Sequence, residues 1–192
     1  GVCDGDGVAN CWDGSETCND CSASPENYPH GWDSNYDGVI DNYAQYANNG
    51  SVTARVFMDG VEVGSDGDLI SAYVGNELRG MARSTVAPEG LGGGYGFLMM
   101  VYSNVADGEL LTFKYYSLAD DTVYDTSETL DWVSDMIEGN LIDAYILNVS
   151  TSTDISIEMN SGWNWFSFNV EGESIDINSV LSTVDEGVFV KS

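Results

Sequence analysis

The chain has 192 residues, of which 32 are acidic and only 5 basic, for a formal net charge of −27. That balance excludes binding to a phosphate backbone or to an anionic membrane surface, both of which need clustered Lys and Arg. No apolar run reaches the roughly 18 residues that a membrane-spanning helix needs.

A charge this large repels itself unless cations or salt screen it. It reads either as a solubility surface for saline surroundings or as metal binding, and calcium is the favoured ion because some of the acids fall at ligand spacing. A chain of this length buries roughly 70% of its unfolded surface and needs no staples in its core. The four cysteines, Cys3, Cys11, Cys18 and Cys21, all lie within the first 21 residues and therefore need a separate explanation. The chain begins at Gly1 rather than Met and shows no signal peptide, so it is expected to be a processed product or a piece of a longer protein.

Residues 1–48 form a first region, rich in Asp, Asn, Gly, Ser and Cys and too poor in aliphatics to make a core alone. Metal ions and disulfides are the usual substitutes. In an acidic, secreted setting the cysteines are expected as two disulfides, with three pairings open. Zinc is the alternative, since Cys18 and Cys21 have CxxC spacing, but the pairs lie closer together than in usual zinc modules.

The strongest local motif is Asp33-Ser34-Asn35-Tyr36-Asp37-Gly38-Val39-Ile40-Asp41. Side-chain oxygens fall at positions 1, 3, 5 and 9 of a calcium loop, Gly38 stands at the sharp turn of position 6, and Val39 would give its backbone carbonyl. The bidentate acid of a complete EF-hand would fall on Ala44, so a remote acid or water must finish the shell. A second, partial loop places Asp4, Asp6, Gly7, Asn10 and Asp13 at positions 3, 5, 6, 9 and 12, with Val2 at position 1.

These two stretches resemble the calcium-binding repeats of the thrombospondin type 3 class, with their DxDxDGxxDxxD loops and interleaved cysteines. The resemblance covers about the first 43 residues and implies an extended, calcium-ordered linker.

From residue 51 the pattern changes to strands, giving a β domain expected over 49–192. Val52, Ala54, Val56 and Met58 alternate with Thr53, Arg55 and Phe57, and Asp59-Gly60 signals a hairpin returning through Val61-Glu62-Val63. Runs at 68–74 and 77–83 flank a Gly75-Asn76 turn. A glycine-rich loop at 91–94 leads to a long strand at 95–105, an Asp107-Gly108 turn and a strand at 109–117. Asp120-Asp121 turns into 122–125. Ser127 followed by Leu130, Val133, Met136 and Ile137 predicts a short capped helix over 127–138. Strands follow at 141–149 and 154–159. Gly162–Val170 reads as a strand buried on both faces, 174–184 as a short helix, and 187–191 as an apolar strand that pairs within the sheet or with a neighbouring subunit. Short strands at close spacing predict a mainly β fold, a β-sandwich or jelly roll.

Residues 51–83, with Asp59-Gly60, Asp68, Ala72-Tyr73-Val74-Gly75 and Glu77-Leu78-Arg79-Gly80, resemble a hairpin that opens a β-sandwich module of secreted bacterial surface proteins. The later YGFLMMVYSN, LTFKYYS and GWNWFSFNV segments fit the same type. The resemblance implies a scaffold or adhesion role, with no catalytic residue carried over.

Catalytic signals are weak. His30 is the single histidine, it stands in a Tyr-Pro-His-Gly loop, and no nucleophile-elbow or zinc-protease motif occurs. Carboxylate pairs mean nothing among so many acids. Lys114, in a Thr- and Tyr-rich strand, reads as a surface lysine, with an intramolecular cross-link as the bolder reading. Asn49 and Asn148 begin glycosylation sequons.

Two functions follow. The first is an extracellular structural or adhesive module, a calcium-stabilised subunit of a surface filament, sheath or adhesin, whose partners are its own copies or other surface proteins. The second is a carbohydrate-binding module of a secreted hydrolase, using Trp163, Trp165, Tyr102, Tyr115 and Tyr116.

Overall fold

The computed structural model describes residues 9–17 and 21–149. It is mainly β, with no α-helix among the described residues. A small hairpin pairs β1 (Ala9–Asn10) with β2 (Glu16–Thr17). The main strands are β3 (Asn48–Met58), β4 (Val61–Glu62), β5 (Leu69–Val74), β6 (Glu77–Val86), β7 (Tyr95–Ser103), β8 (Asp107–Ser117), β9 (Thr122–Val133), β10 (Ile137–Glu138) and β11 (Tyr145–Asn148).

These nine strands make one sheet with the order β10-β3-β7-β6-β5-β8-β9; β4 and β11 also pair with β3. The strands expected to build a sandwich or jelly roll therefore lie, among the described residues, in a single sheet. It is antiparallel except at β3, where β10 and β11 run parallel. The sheet curls until its ends meet. Thr126 of β9 bridges Val149, and Glu128 of β9 accepts hydrogen bonds from the Asn148 amide nitrogen at 2.6 Å and its side chain at 2.7 Å.

Alternation drives this arrangement. In β3, Val52, Ala54 and Val56 are fully buried, and they meet Ile70, Ala72, Phe97, Met99, Val101, Phe113, Tyr115 and Trp132 inside the curl. The β3–β4 hairpin turns at Asp59 and Gly60, both at positive φ (52° and 78°), as a primed two-residue turn requires.

The helix expected over 127–138 is not formed. Residues up to Val133 continue β9, with Tyr124, Thr126, Glu128, Leu130 and Trp132 more buried than their neighbours. The period of two that runs through Tyr124 to Trp132 outweighs the shorter match to a helical spacing. The Asp107-Gly108 pair, expected as a turn, instead lies inside β8, beside a register shift between Asp107 and Leu110. The elements expected beyond residue 149, including Gly162–Val170 and 187–191, lie outside the described residues.

A second core lies on the outer face of the sheet. Leu69, Met81 and Tyr116 point outward and are covered by Tyr28, Trp32 and Ile40 from the N-terminal region. Arg83 of β6 reinforces the seam by donating to the Trp12 carbonyl and to the Tyr28 hydroxyl. Asp121 accepts the Asn27 backbone amide at 3.2 Å. The residues just before β3 are thus packed against the sheet along much of their length.

Candidate metal loop and its surroundings

The loop of Asp33 to Asp41 is held between two anchors. Trp32 ends a 3-10 turn (His30–Trp32), and Trp32 and Ile40 are 7% and 1% exposed in the outer core. Between them the chain folds as nested Asx turns. Asp33 accepts the backbone amides of Asp37 at 3.2 Å and of Gly38 at 2.7 Å. Asn35 also accepts the Asp37 amide, at 3.2 Å, and donates to the Asp37 carboxylate at 3.0 Å. Asp37 accepts the Val39 amide at 3.0 Å. Because Asp33 and Asn35 share one donor, the oxygens of positions 1, 3 and 5 crowd the same space.

Asp41 is turned away onto Ser34, whose amide and hydroxyl it accepts at 3.1 and 2.6 Å. Among the described residues no three His, Cys, Asp or Glu side chains converge as a metal-ligating group. The set Asp33, Asn35, Asp37 and the Val39 carbonyl is made of hard oxygen donors, the chemistry calcium selects. Fit to an ion requires Asp41 to leave Ser34 or a water to take its place.

Electrostatics at the loop are one-sided. Asp33 is only 6% exposed, and burial pushes its carboxyl above the usual range, with the neighbouring Asp37 charge adding to the effect against the backbone amides. The described cations are engaged elsewhere. Arg55 pairs with Glu62, Arg79 with Glu77 and Glu109, and Lys114 with Asp125, while Arg83 is taken up by Trp12 and Tyr28.

In the partial loop, Asn10 sits in β1 opposite Glu16. Asp13 accepts the Ser15 hydroxyl at 2.6 Å and its amide at 3.0 Å, and these bonds hold its carboxyl below the usual range. Asp4 and Asp6 lie outside the described residues. Cys11 and Cys21 form a disulfide with Cα atoms 5.5 Å apart, which removes two of the four thiolates that a zinc site would need. Cys3 and Cys18 lie outside the described residues.

His30 Nδ1 lies 2.7 Å from the Tyr36 hydroxyl and Nε2 lies 3.0 Å from the Ser24 hydroxyl, so among the described residues it meets two hydroxyls and no carboxylate. Lys114 is 40% exposed and pairs with Asp125 at 2.6 Å. Tyr115 and Tyr116 are buried and bonded through their hydroxyls to Asp68 and Asp121. Burial first, and those carboxylates second, push both phenols far above their usual range. They are removed from any sugar-facing surface, and Trp163 and Trp165 lie outside the described residues. Asn49 is exposed on β3, whereas Asn148 is held by Glu128.

Several positions that organise this region escape a motif search. Trp32 and Ile40 read as loop residues because no period surrounds them. Arg79 carries a signal, since it stands in the Leu78-Arg79-Gly80 run, but its role is one of packing. Its guanidinium lies 5.1 Å from the centre of the Tyr46 ring and pairs with Glu109 at 2.9 Å. Comparison of the chain with models of known protein families, with curated proteins and with solved structures finds no match.

Proposed function

We propose that this chain is an extracellular structural or adhesive module that calcium rigidifies, and that it acts by holding or assembling rather than by catalysis. The observation that supports this reading most is the placement of the Asp33–Asp41 loop. Its first acid is buried beside a second acid, with no cation paired to either among the described residues, and its two flanks are core anchors. A divalent ion in the loop would neutralise that charge and fix Trp32 and Ile40 against the sheet, so that ion binding and docking of the N-terminal region would be one event. The Cys11–Cys21 disulfide fits an oxidising, extracellular setting. In a filament, sheath or adhesin, a module stiffened in this way would transmit load only where calcium is abundant.

The test is thermal melting and light scattering in calcium and in EDTA at matched ionic strength. At a hundredfold excess of calcium over its Kd the gain is about 2.7 kcal/mol, which raises Tm by roughly 5 to 10 °C for a domain of this size. Asp37→Asn should shrink that gain and leave the EDTA melt nearly unchanged. Identical melting and size in both buffers would overturn the calcium reading.

A further inference from the structure

We propose that Tyr43, Tyr102 and the outer face of β7 form a platform that binds a neutral saccharide. The aromatic residues of the described region mostly face inward or spend their polar atoms on the protein. Tyr28, Tyr46, Tyr115, Tyr116, Tyr124 and Tyr145 all donate their hydroxyls to carbonyl or carboxylate oxygens. Tyr43 and Tyr102 do not.

Tyr43 is 46% exposed, the most open aromatic ring among the described residues. It lies 5.9 Å from Tyr102, at 42°. Tyr102 in turn stacks on Tyr46 at 6.3 Å and 24°. Among the described residues no hydrogen bond engages the Tyr43 or Tyr102 hydroxyl. Tyr46 is the fixed end of this ladder, bonded to Glu77 at 2.7 Å and lying against Arg79.

Neighbouring side chains extend the platform. Met99 and Val101 of β7 point into the core, so Met100 and Leu98 point outward with Tyr102, and they are 39% and 54% exposed. Polar groups border the rings. Asn42 reaches the Tyr46 hydroxyl at 3.3 Å, and Asn104, also exposed, binds the Ala47 amide.

A sugar ring presents a C–H face that packs on an aromatic ring and hydroxyls around its rim that bond to phenols and amides. Aromatic surfaces with a polar end suit such a half-wet contact. A second copy docking on this face would bring its own acids against Glu77 and Glu109 beside the ladder, a local like-charge contact. An anionic polysaccharide would meet the same repulsion, with Glu77 and Glu109 nearby, which is why a neutral sugar is specified. Sugar binding at these rings does not depend on the calcium loop.

The experiment is native affinity electrophoresis in calcium-containing gels cast with soluble β-glucan, galactomannan or xylan. At least one polymer should retard the wild-type protein. Tyr43→Ala, at an exposed position where folding is not at stake, should weaken that retardation about tenfold, and Tyr102→Ala should do the same. Tyr43→Phe, which keeps the ring, should retain most of it. Melting curves establish that the variants fold. Absence of retardation in all three polymers, or equal retardation of Tyr43→Ala, overturns the proposal. So does a self-association seen by sedimentation that Tyr43→Ala abolishes without any glycan effect, because it would assign the platform to a second copy.

Discussion

At the scale of single residues, the most demanding position is Asp68. It is fully buried and accepts four hydrogen bonds, from the Ser65 amide at 2.7 Å, the Ser65 hydroxyl at 3.1 Å, the Tyr115 hydroxyl at 2.6 Å and the Leu118 amide at 2.9 Å. Both oxygens are used, so an asparagine would turn an NH2 toward a donor. Asp68→Asn should therefore cost about 2 to 4 kcal/mol, measured as a lower urea midpoint with an unchanged slope. Glu128 makes a second prediction. Burial alone would raise its carboxyl, but the Asn148 side chain and amide and the Ser127 hydroxyl outweigh burial and hold it below its usual value. A group whose folded value is depressed stabilises above the unfolded value and loses that contribution as pH falls through the folded one. Part of the acid limb of the stability profile, below about pH 4.5, should accordingly vanish in Glu128→Gln, with Tm against pH as the readout.

The elements show how much could be read in advance. The hairpin of β3 and β4 and most of β5 to β8 were legible, because alternation and the Asp59-Gly60 and Gly75-Asn76 pairs are local signals, whereas Asp107-Gly108 signalled a turn where β8 runs on. β9 was partly misread, since Leu130, Val133 and Met136 satisfy a helical spacing that competes with the period of two from Tyr124 to Trp132, and pairing with β8 favours the strand. The outer core was hidden altogether. Trp12, Tyr28, Trp32 and Ile40 have no period, and nothing local announces that Leu69, Met81 and Tyr116 leave an apolar outer face to be covered. The Asp33–Asp41 motif was legible as a turn-rich acidic loop, whereas the diversion of Asp41 onto Ser34 depends on rotamers that spacing does not reveal. Gly80 illustrates an element-scale constraint. A Cβ there would stand 2.4 Å from the Met100 carbonyl oxygen, which is backbone of the paired strand and cannot swing aside. Gly80→Ala should cost about 1 to 3 kcal/mol or more by forcing β6 and β7 apart. Hydrogen exchange should show faster exchange at the Met100 amide, which faces β6, and unchanged protection there would refute the packing argument.

At the scale of the whole molecule, charge sets the conditions under which the fold is stable. With a net charge of −27, self-repulsion opposes compaction and salt relieves it. Tm should climb as sodium chloride is raised from low salt to about half molar, where the Debye length falls to roughly 4 Å. Specific calcium binding would add a step above this smooth rise at a concentration too low to matter for screening. A flat response to sodium chloride would mean that the acids are already spaced widely enough to ignore one another.

The parallel pairing of β11 with β3 matters for how the molecule is made. It joins Tyr145 to Ala54, partners about 90 residues apart in the chain, and contacts of such separation are formed slowly. On a ribosome, β3 emerges long before the strand that closes its free side. Until then its edge and the exposed side of β9 are open to other chains, and the surplus of acids is the main deterrent to mispairing. The same negative charge that weakens the finished fold would thus protect the nascent one.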